Sequence, residues 1–289
     1  MDVSVGLPLN MPGANGESAI AWARRAQELN FPGIGASDRL VYPNMEPVVS
    51  LGAAAAVTTS LRMTLSVLIT PLRTNAVHMA KELATLDQLS GGRLCVGVGI
   101  GGIKWDFEGS GLEDLKRGAM IERQIEEMRA VWAGAEHGTG GAVGPAPVQA
   151  GGPRLLYGGY ADAAIKRGAR MTDGYLGGGA TADFSYCAGV FDKYWQEFGR
   201  NGKPWKAAHR YFALGPDGPE LGRKYVENYY NPGWAGHYTE WMIERLLTTP
   251  AAIRQAAREF GDAGCDDMIL FPTTTDIAQL DLLADAVHS

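Results

Sequence analysis

Leu83-Ala-Thr-Leu-Asp-Gln-Leu-Ser-Gly-Gly-Arg-Leu-Cys-Val-Gly-Val-Gly99 is the stretch of this chain that says most about its fold. It predicts the end of an amphipathic helix, a stop at Gly91-Gly92 and then a fully apolar strand. The strand runs into Gly99-Ile-Gly-Gly102, where a ligand can approach the backbone with no side chain in the way. A helix followed by a buried strand that ends in glycines is typical of α/β enzymes whose strand ends line the site.

Strands and helices alternate along the whole sequence. Because successive strands are separated by helices, they predict a parallel sheet, and their even spacing favours one (β/α)8 TIM barrel with insertion loops over residues 1–289. A doubly wound sheet is the structural alternative. The eight predicted strands are Val3–Leu7, Gly33–Ala36, Leu61–Ile69, Leu94–Gly99, Arg154–Tyr157, Gly174–Leu176, Ala207–Leu214 and Asp267–Phe271.

Three segments exceed what a minimal barrel needs, namely Ile103–Leu115, Ala133–Pro153 and Pro216–Thr249. Long insertions in a compact domain are usually lids or mobile loops. The third insertion is rich in tyrosine and tryptophan, so it is either part of the core or a hydrophobic lid over a substrate pocket. His209 and His237 lie in the half of the chain where such a lid is expected, and they are the only two of the five histidines that we consider as site candidates.

Composition excludes several classes of protein. The 289 residues carry a net charge of −6 and no run of lysine and arginine, so a nucleic-acid partner is not expected. No apolar run approaches the roughly 20 residues of a membrane span, and the start of the chain does not resemble a signal peptide. The three cysteines are far apart, without metal-type spacing, and indicate a reducing cytoplasm. The absence of a G-x-S-x-G elbow leaves hydrolase chemistry without support.

Gly97-Val-Gly-Ile-Gly-Gly102 formally matches the dinucleotide fingerprint G-x-G-x-x-G. A true fingerprint opens directly into a helix whose N-terminus holds the pyrophosphate, whereas a loop is predicted after Gly102. We therefore interpret the glycines as a strand end that leaves room for a planar cofactor.

Two further motifs follow predicted strands. Gly158-Gly-Tyr-Ala161 precedes a helix, so its bare amides form either a phosphate site or an ordinary strand–helix turn. Asp38-Arg39 follows the second strand and would face the mouth of a barrel, although a surface ion pair or a helix cap is the alternative. Ser66 places one hydroxyl in an otherwise apolar strand.

Seven segments resemble the luciferase-like flavin monooxygenase family, in the family's order and over most of the chain. The resemblance is most specific over Leu83–Gly99 and weakest over Pro216–Thr249. The segments are Ala36–Leu40, Glu46–Val57, Leu61–Arg73, Met79–Leu94, Arg117–Ala133, Leu155–Leu176 and Ala263–Leu270.

The resemblance implies a TIM-type barrel that holds reduced FMN, or its deazaflavin relative coenzyme F-420, at the carboxyl face. It implies a non-prolyl cis peptide at Ser66–Val67, forming a bulge behind the isoalloxazine ring. In the implied site, the isoalloxazine ring contacts Leu7, Pro8, Ser66 and Val67. The ribityl chain contacts Gly99, Gly101 and Gly102, and the phosphate contacts Gly158, Gly159, Tyr160 and Ala161.

The sequence departs from the family pattern at the implied catalytic residues, Asp38 and Arg39. Many deazaflavin members carry Asp-His there, and they often carry glutamate where Gly102 stands. Bacterial luciferases have histidine near Asp38 and a phosphate-gripping arginine near Ile100, and this chain has neither. Three roles remain open for Arg39: stabilising an oxygenated flavin, binding a substrate anion, or binding an extended cofactor tail. Substrate contacts are expected from the two insertions that would close over the ring, at Trp105, Tyr229, Trp234 and His237.

The function implied is that of a flavin-dependent monooxygenase, which takes reduced FMN from a partner reductase and uses molecular oxygen to oxygenate a small organic substrate. A deazaflavin-dependent reductase or dehydrogenase that works by hydride transfer is the first alternative. A flavin-binding barrel without turnover is the second. The resemblance also implies a homodimer that packs helices near Glu46–Leu89.

Overall fold

The computed structural model describes residues 1–230 and 236–288. Its eight parallel strands close into a barrel in chain order, with β8 paired to β1. The predicted (β/α)8 barrel is confirmed, and the doubly wound alternative is wrong because the strands neighbour one another in chain order and the pairing of β8 with β1 leaves no open edge. The strands are β1 (Asp2–Gly6), β2 (Gly33–Ala36), β3 (Arg62–Ile69), β4 (Leu94–Gly99), β5 (Arg154–Gly158), β6 (Gly174–Gly178), β7 (Trp205–Phe212) and β8 (Asp267–Pro272).

Helices surround the barrel and bury one face against it. The driving force is burial of apolar surface, and large side chains such as Trp22, Tyr157 and Phe191 are almost fully buried between the two layers. The helices are α1 (Gly16–Glu28), α2 (Pro47–Val57), α3 (Ala76–Ser90), α4 (Lys104–Glu108), α5 (Arg117–Trp132), α6 (Asp162–Met171), α7 (Thr181–Glu197), α8 (Gly218–Tyr230), α9 (Gly236–Ile243), α10 (Pro250–Asp262) and α11 (Ala278–His288).

The stretch around α3 folds as its sequence predicts. The Asn75 side chain caps the helix by accepting a hydrogen bond from the His78 amide at 2.9 Å. Gly91 then ends the helix in the left-handed region, with φ of 63°, where glycine carries no steric penalty. The chain turns directly into β4.

The loop predicted over Ile103–Leu115 contains a short helix, α4, so that part of the prediction is wrong. An exposed ion pair between Lys104 and Glu108 spans its single turn. The helix is too short to produce an apolar periodicity, which is why the sequence pattern does not reveal it.

The insertion Ala133–Pro153 is fastened to α3 by Asp87. One carboxylate oxygen accepts hydrogen bonds from the Val148 amide at 2.7 Å and the Gln149 amide at 3.0 Å. The other accepts from Nε2 of Gln149 at 2.7 Å. Because Asp87 is fully buried, these hydrogen bonds are shielded from water and fasten this end of the insertion to α3.

Two kinds of feature are missing from the described part of the chain. Within residues 1–230 and 236–288, no helix combines the length and apolar character that crossing a bilayer requires. The same residues bring together no group of three or more side chains suited to bind a metal ion.

Candidate functional site

The candidate site lies where the carboxyl ends of the eight parallel strands meet. Because every strand runs in the same direction, residues that end different strands become neighbours at one face of the barrel. Leu7 and Pro8 follow β1 there and are buried. The Leu7 amide donates to Gly35 of β2 at 2.7 Å, which keeps this end of β1 in the sheet.

Val67 occupies the space above two strand-ending glycines. The Ser66–Val67 peptide is cis, as the resemblance implies, and the register of β3 against β4 shifts between Leu65 and Leu68. A Cβ atom on Gly158 would lie 2.6 Å from Val67 Cγ1, and one on Gly99 would lie 2.8 Å from Cγ2. The space that the sequence assigned to a planar cofactor thus holds the Val67 side chain on its inner side, and both strand ends must be glycine to accommodate it.

Ser66 pairs with a histidine from the opposite side of the barrel. Its Oγ lies 3.3 Å from Nδ1 of His209 on β7. Burial, with a smaller contribution from Arg210, lowers the pKa of His209 from 6.5 to about 4, so the imidazole is neutral near pH 7. A neutral imidazole can both donate and accept a hydrogen bond inside the barrel.

The segment Gly158–Ala161 connects β5 to α6 and consists of two glycines, a tyrosine and an alanine. Gly158 and Gly159 are half-buried, whereas Tyr160 and Ala161 are exposed at the start of the helix. Tyr175 Oη donates to the Gly159 carbonyl at 3.1 Å, which fixes the turn. The amides that precede a helix carry a partial positive charge, which suits an anion such as phosphate.

The residues of the loop after β4 differ in backbone conformation and in exposure. Gly101 adopts a φ of 69°, and a Cβ atom there would lie 2.7 Å from Ile69 Cγ2. Its carbonyl accepts a hydrogen bond from Nη1 of Arg117 at 2.9 Å. Gly102 is exposed, and the next helix begins at Lys104. The dinucleotide fingerprint is therefore absent as a strand–turn–long-helix unit, because α4 has a single turn.

Asp38 is a buried carboxylate that organises the loops after β2 and β3. Oδ2 accepts hydrogen bonds from the Ile69 amide at 2.9 Å and from Nη1 of Arg73 at 2.6 Å. Burial raises the pKa of the Asp38 carboxyl, and Arg73 and the Ile69 amide oppose that shift. Arg73 also pairs with the exposed Glu46 at 2.7 Å, so Asp38 is a fixed partner in an ion-pair chain.

Arg39 turns away from Asp38 and forms a separate buried ion pair. Its Nε donates to Asp106 Oδ2 at 2.8 Å, and both side chains are almost inaccessible. The other oxygen of Asp106 accepts from the Val41 amide at 2.7 Å. The guanidinium carbon lies 5.2 Å from the ring centre of Tyr42 and 5.2 Å from that of Tyr229, so two aromatic rings flank the cation.

The aromatic insertion packs onto the mouth of the barrel. Tyr225, Tyr229 and Tyr230 of α8 are buried against Tyr211 of β7 and Phe271 of β8. Tyr211 and Tyr230 share a hydrogen bond of 3.0 Å between their hydroxyl oxygens. The sequence left open whether this segment is part of the core or a hydrophobic lid. Helix α8 has both properties, because its tyrosines are buried and the helix lies over the mouth of the barrel.

The remaining expected substrate contacts are not brought together. Trp105 lies half-buried on α4, next to Asp106. His237 is exposed on α9, and Trp234 lies outside the described residues. Sequence reasoning missed Asn10, Tyr42, Arg73 and Asp106, and their best signal was polar or aromatic character in loops that follow strands.

Comparisons with known proteins agree with this architecture. The family model described as luciferase-like monooxygenase matches residues 5–286. An FMNH2-dependent dimethylsulfone monooxygenase from Pseudomonas putida is 30% identical over 115 residues, which cover 36% of this chain and 32% of that protein. Curated relatives match along 32% to 59% of their own length, so the chain resembles only part of each.

Solved structures show the same fold at low sequence identity. The monooxygenase RslO1 from Streptomyces bottropensis has a TM-score of 0.82 and 20% identity, covering 100% of this chain and 99% of that one. An F420-dependent secondary alcohol dehydrogenase, solved with an F420–acetone adduct, has a TM-score of 0.80 and 16% identity, with the same coverage. The match of the family model over nearly the whole barrel establishes that the chain belongs to the luciferase-like monooxygenase family.

Proposed function

We propose that this chain is a flavin-dependent monooxygenase that uses reduced FMN and molecular oxygen to oxygenate a small organic substrate. The observation that carries the proposal is the Gly158–Ala161 turn before α6, whose first glycine lies beside Val67 at the carboxyl face. The relative that is named for dependence on FMNH2 supports the choice of cofactor.

The phosphate of FMN fits the turn between β5 and α6. Val67 fills the space that a Cβ atom on Gly158 would take, so glycine is required there, and Gly158 and Gly159 are only half-buried. Tyr160 and Ala161, which precede α6, and Asp162, its first residue, are all exposed. The nearest acidic side chain along the chain, Asp162, is engaged by the Tyr194 hydroxyl at 2.9 Å, which directs its charge toward α7.

The ring of FMN fits between the ends of β1, β3 and β7. Leu7 and Val67 supply apolar contacts, and Ser66 with neutral His209 supplies a polar pair that adds no charge. Reduced FMN, when bound, supplies the electrons for activating molecular oxygen. The role of these side chains is to hold the ring and to keep water from it, because excluded water protects reactive flavin species from side reactions.

Three further elements belong to the proposal. A separate reductase supplies the reduced flavin, Trp105 and Tyr229 border the substrate, and two copies associate through the region Glu46–Leu89. Deazaflavin coenzyme F-420 is the competing cofactor, with hydride transfer in place of oxygen chemistry. A barrel that binds flavin without turnover is the third possibility that the experiment must separate.

The test is a titration of the purified protein with FMN and with coenzyme F-420, each oxidised and reduced, followed by oxygen uptake with reduced FMN. Tight binding of reduced FMN and uptake of oxygen support the proposal. Preference for F-420 assigns the chain to hydride transfer, and binding of FMN without oxygen uptake assigns it to the non-catalytic alternative. Either result contradicts the monooxygenase.

A charged variant tests the phosphate position. Ala161→Glu places a carboxylate at the exposed start of α6, where it repels phosphate, so FMN binding is expected to weaken by at least about tenfold. Riboflavin lacks the phosphate and should bind the variant and the parent alike. Ala251→Glu adds the same charge to the exposed first turn of α10 and serves as the matched control. If Ala161→Glu weakened the binding of riboflavin and of FMN equally, the proposed phosphate position would be contradicted.

A further inference from the structure

A cavity lies at the amino ends of the strands β2 to β5, on the opposite face of the barrel from the candidate site. Its volume is about 290 Å³, and Arg62, Arg93 and Arg154 form part of its wall. The other described residues of the wall are uncharged, among them Ser60 and Cys95. Three guanidinium groups therefore line this cavity without a carboxylate beside them in the described wall.

The register of the sheet brings the three arginines together. Arg62 is the first residue of β3, Arg93 immediately precedes β4, and Arg154 is the first residue of β5. These three strands are neighbours in the barrel, and the Met63 amide donates to the Arg93 carbonyl at 2.9 Å. The three side chains thus start from adjacent strand ends and reach one cavity.

The positive charge of Arg93 is not neutralised by the groups that it contacts. Its guanidinium donates to the carbonyls of Leu61 and Thr58 at 2.9 Å each and to that of Ser90 at 2.5 Å. These acceptors carry no net charge, and burial lowers the pKa of Arg93 with no carboxylate opposing the shift. The thiol of Cys95 is neutral near pH 7, because burial raises its pKa to about 12. Arg93 therefore contributes a fixed positive charge to the cavity.

Arg62 and Arg154 supply hydrogen-bond donors. Arg62 contacts Asp2 at 3.0 Å and Asp267 at 2.9 Å through the same nitrogen, Nη2, so these two carboxylates are both spent on Arg62. The side chain of Arg154 is exposed and makes no ion pair or hydrogen bond within residues 1–230 and 236–288. The guanidinium carbons of Arg154 and Arg62 lie 4.7 Å and 5.2 Å from the ring centre of Trp205, so one indole positions both cations.

We propose that this cavity binds a dianionic oxyanion, namely the phosphate group of inorganic phosphate or of a small phosphate ester. A guanidinium offers paired donors to phosphate oxygens, and the fixed charge of Arg93 favours a ligand with two negative charges. The site is independent of FMN, because Arg154 and Gly158 lie at opposite ends of β5, roughly 13 Å apart along the strand. It is thus a second anion site, on the face of the barrel that the proposed function does not use.

The test is isothermal titration calorimetry of the full chain at constant ionic strength. The ligands are inorganic phosphate, glycerol 3-phosphate and, as a singly charged control, acetate. We expect acetate to bind at least about tenfold more weakly than the tighter of the two phosphates. Both orders of the phosphates support the inference, since tighter binding of the ester identifies an ester as the ligand and the reverse identifies free phosphate. If acetate binds as tightly, or neither phosphate binds, the inference is overturned.

Variants locate the effect at Arg154. Arg154→Gln removes an exposed side chain without an ion pair, so the fold should persist while phosphate binding weakens by about tenfold or more. Arg258→Gln removes an exposed arginine of α10 that is not part of the cavity wall, and it should leave phosphate binding unchanged. Unchanged phosphate binding in Arg154→Gln would overturn the inference.

Ala161→Glu separates the two proposed anion sites. Its carboxylate lies beyond the other end of β5, so the variant should bind inorganic phosphate as the parent does. If Ala161→Glu abolished phosphate binding and Arg154→Gln did not, phosphate would occupy the carboxyl face and the inference would be overturned. Failure of FMN to bind, with phosphate binding that depends on Arg154, would contradict the proposed function alone.

Discussion

Arg39 and Asp106 lie 67 positions apart in the sequence and form a buried ion pair of 2.8 Å across the mouth of the barrel. Arg39 comes from the loop after β2 and Asp106 from the short helix α4 after β4, so the pair joins two loops that no strand connects directly. Replacing both members of such a buried pair by apolar side chains changes the stability of a protein little. Removing only one of them is costly, because the other charge stays buried without a partner.

Asp106→Asn should therefore destabilise the protein strongly, because the Arg39 charge stays buried without its carboxylate. We expect a loss of about 3–5 kcal/mol in the free energy of unfolding, measured by urea denaturation. Glu108→Gln breaks the exposed pair with Lys104 on the same helix and should change stability by less than about 0.5 kcal/mol. Equal effects of the two substitutions would show that Arg39 does not depend on Asp106.

Gly158→Ala is expected to destabilise the barrel through Val67. The added Cβ atom would lie 2.6 Å from Val67 Cγ1, and such overpacking costs about 1–3 kcal/mol. Val67→Ala in the same chain removes the clashing methyl group and should restore part of the loss, as a double-mutant cycle measures.

Gly189→Ala is the matched control for that cycle. Gly189 lies within α7, is exposed and has no atom within 4 Å of the position of a Cβ. Alanine should raise stability there by about 0.5–1 kcal/mol, because glycine weakens a helix interior. Additive effects of Gly158→Ala and Val67→Ala would contradict the contact between them.

Asp87→Ala should release one end of the insertion Ala133–Pro153. The carboxylate accepts hydrogen bonds from the amides of Val148 and Gln149, and its loss leaves these donors without a partner, at about 1–3 kcal/mol. Hydrogen exchange at these two amides should become faster than in the parent protein. Gln88→Ala removes an exposed hydrogen bond to the Ala146 carbonyl and should change exchange less. Unchanged exchange in Asp87→Ala would mean that the segment is held by other contacts.

The barrel was predictable because its elements are local patterns. β2 and β4 begin and end at the predicted residues, since each is an apolar run between polar or glycine boundaries. α4 was missed because one turn gives no periodicity, although it positions Asp106. The spacing of residues along the chain carries no information on which loop faces which.

The same difference between local patterns and contacts across the barrel applies to the candidate site. The sequence predicts one site for the adjacent residues Asp38 and Arg39, yet they make separate ion pairs with Arg73 and Asp106. Neither partner was identifiable, because pairing across a barrel depends on strand order and loop direction. The sequence indicates His209 only by its position in the second half of the chain, and the structure places it opposite Ser66.

His209 should make stability depend on pH between about 6.5 and about 4. Its pKa is about 4 in the folded protein and near 6.5 when exposed, because burial disfavours the imidazolium. In that window the unfolded chain binds a proton that the folded chain does not, so stability falls as the pH falls and then levels off below pH 4. The full shift corresponds to roughly 3 kcal/mol.

His209→Asn keeps an acceptor for Ser66 but cannot titrate. The difference in unfolding free energy between parent and variant, measured by urea denaturation at pH 7.5 and at pH 4, should therefore change by this amount. Carboxylates titrate in both proteins and cancel in the difference. A parallel loss of stability in the two proteins would mean that the His209 imidazole remains free to take up a proton in the folded barrel.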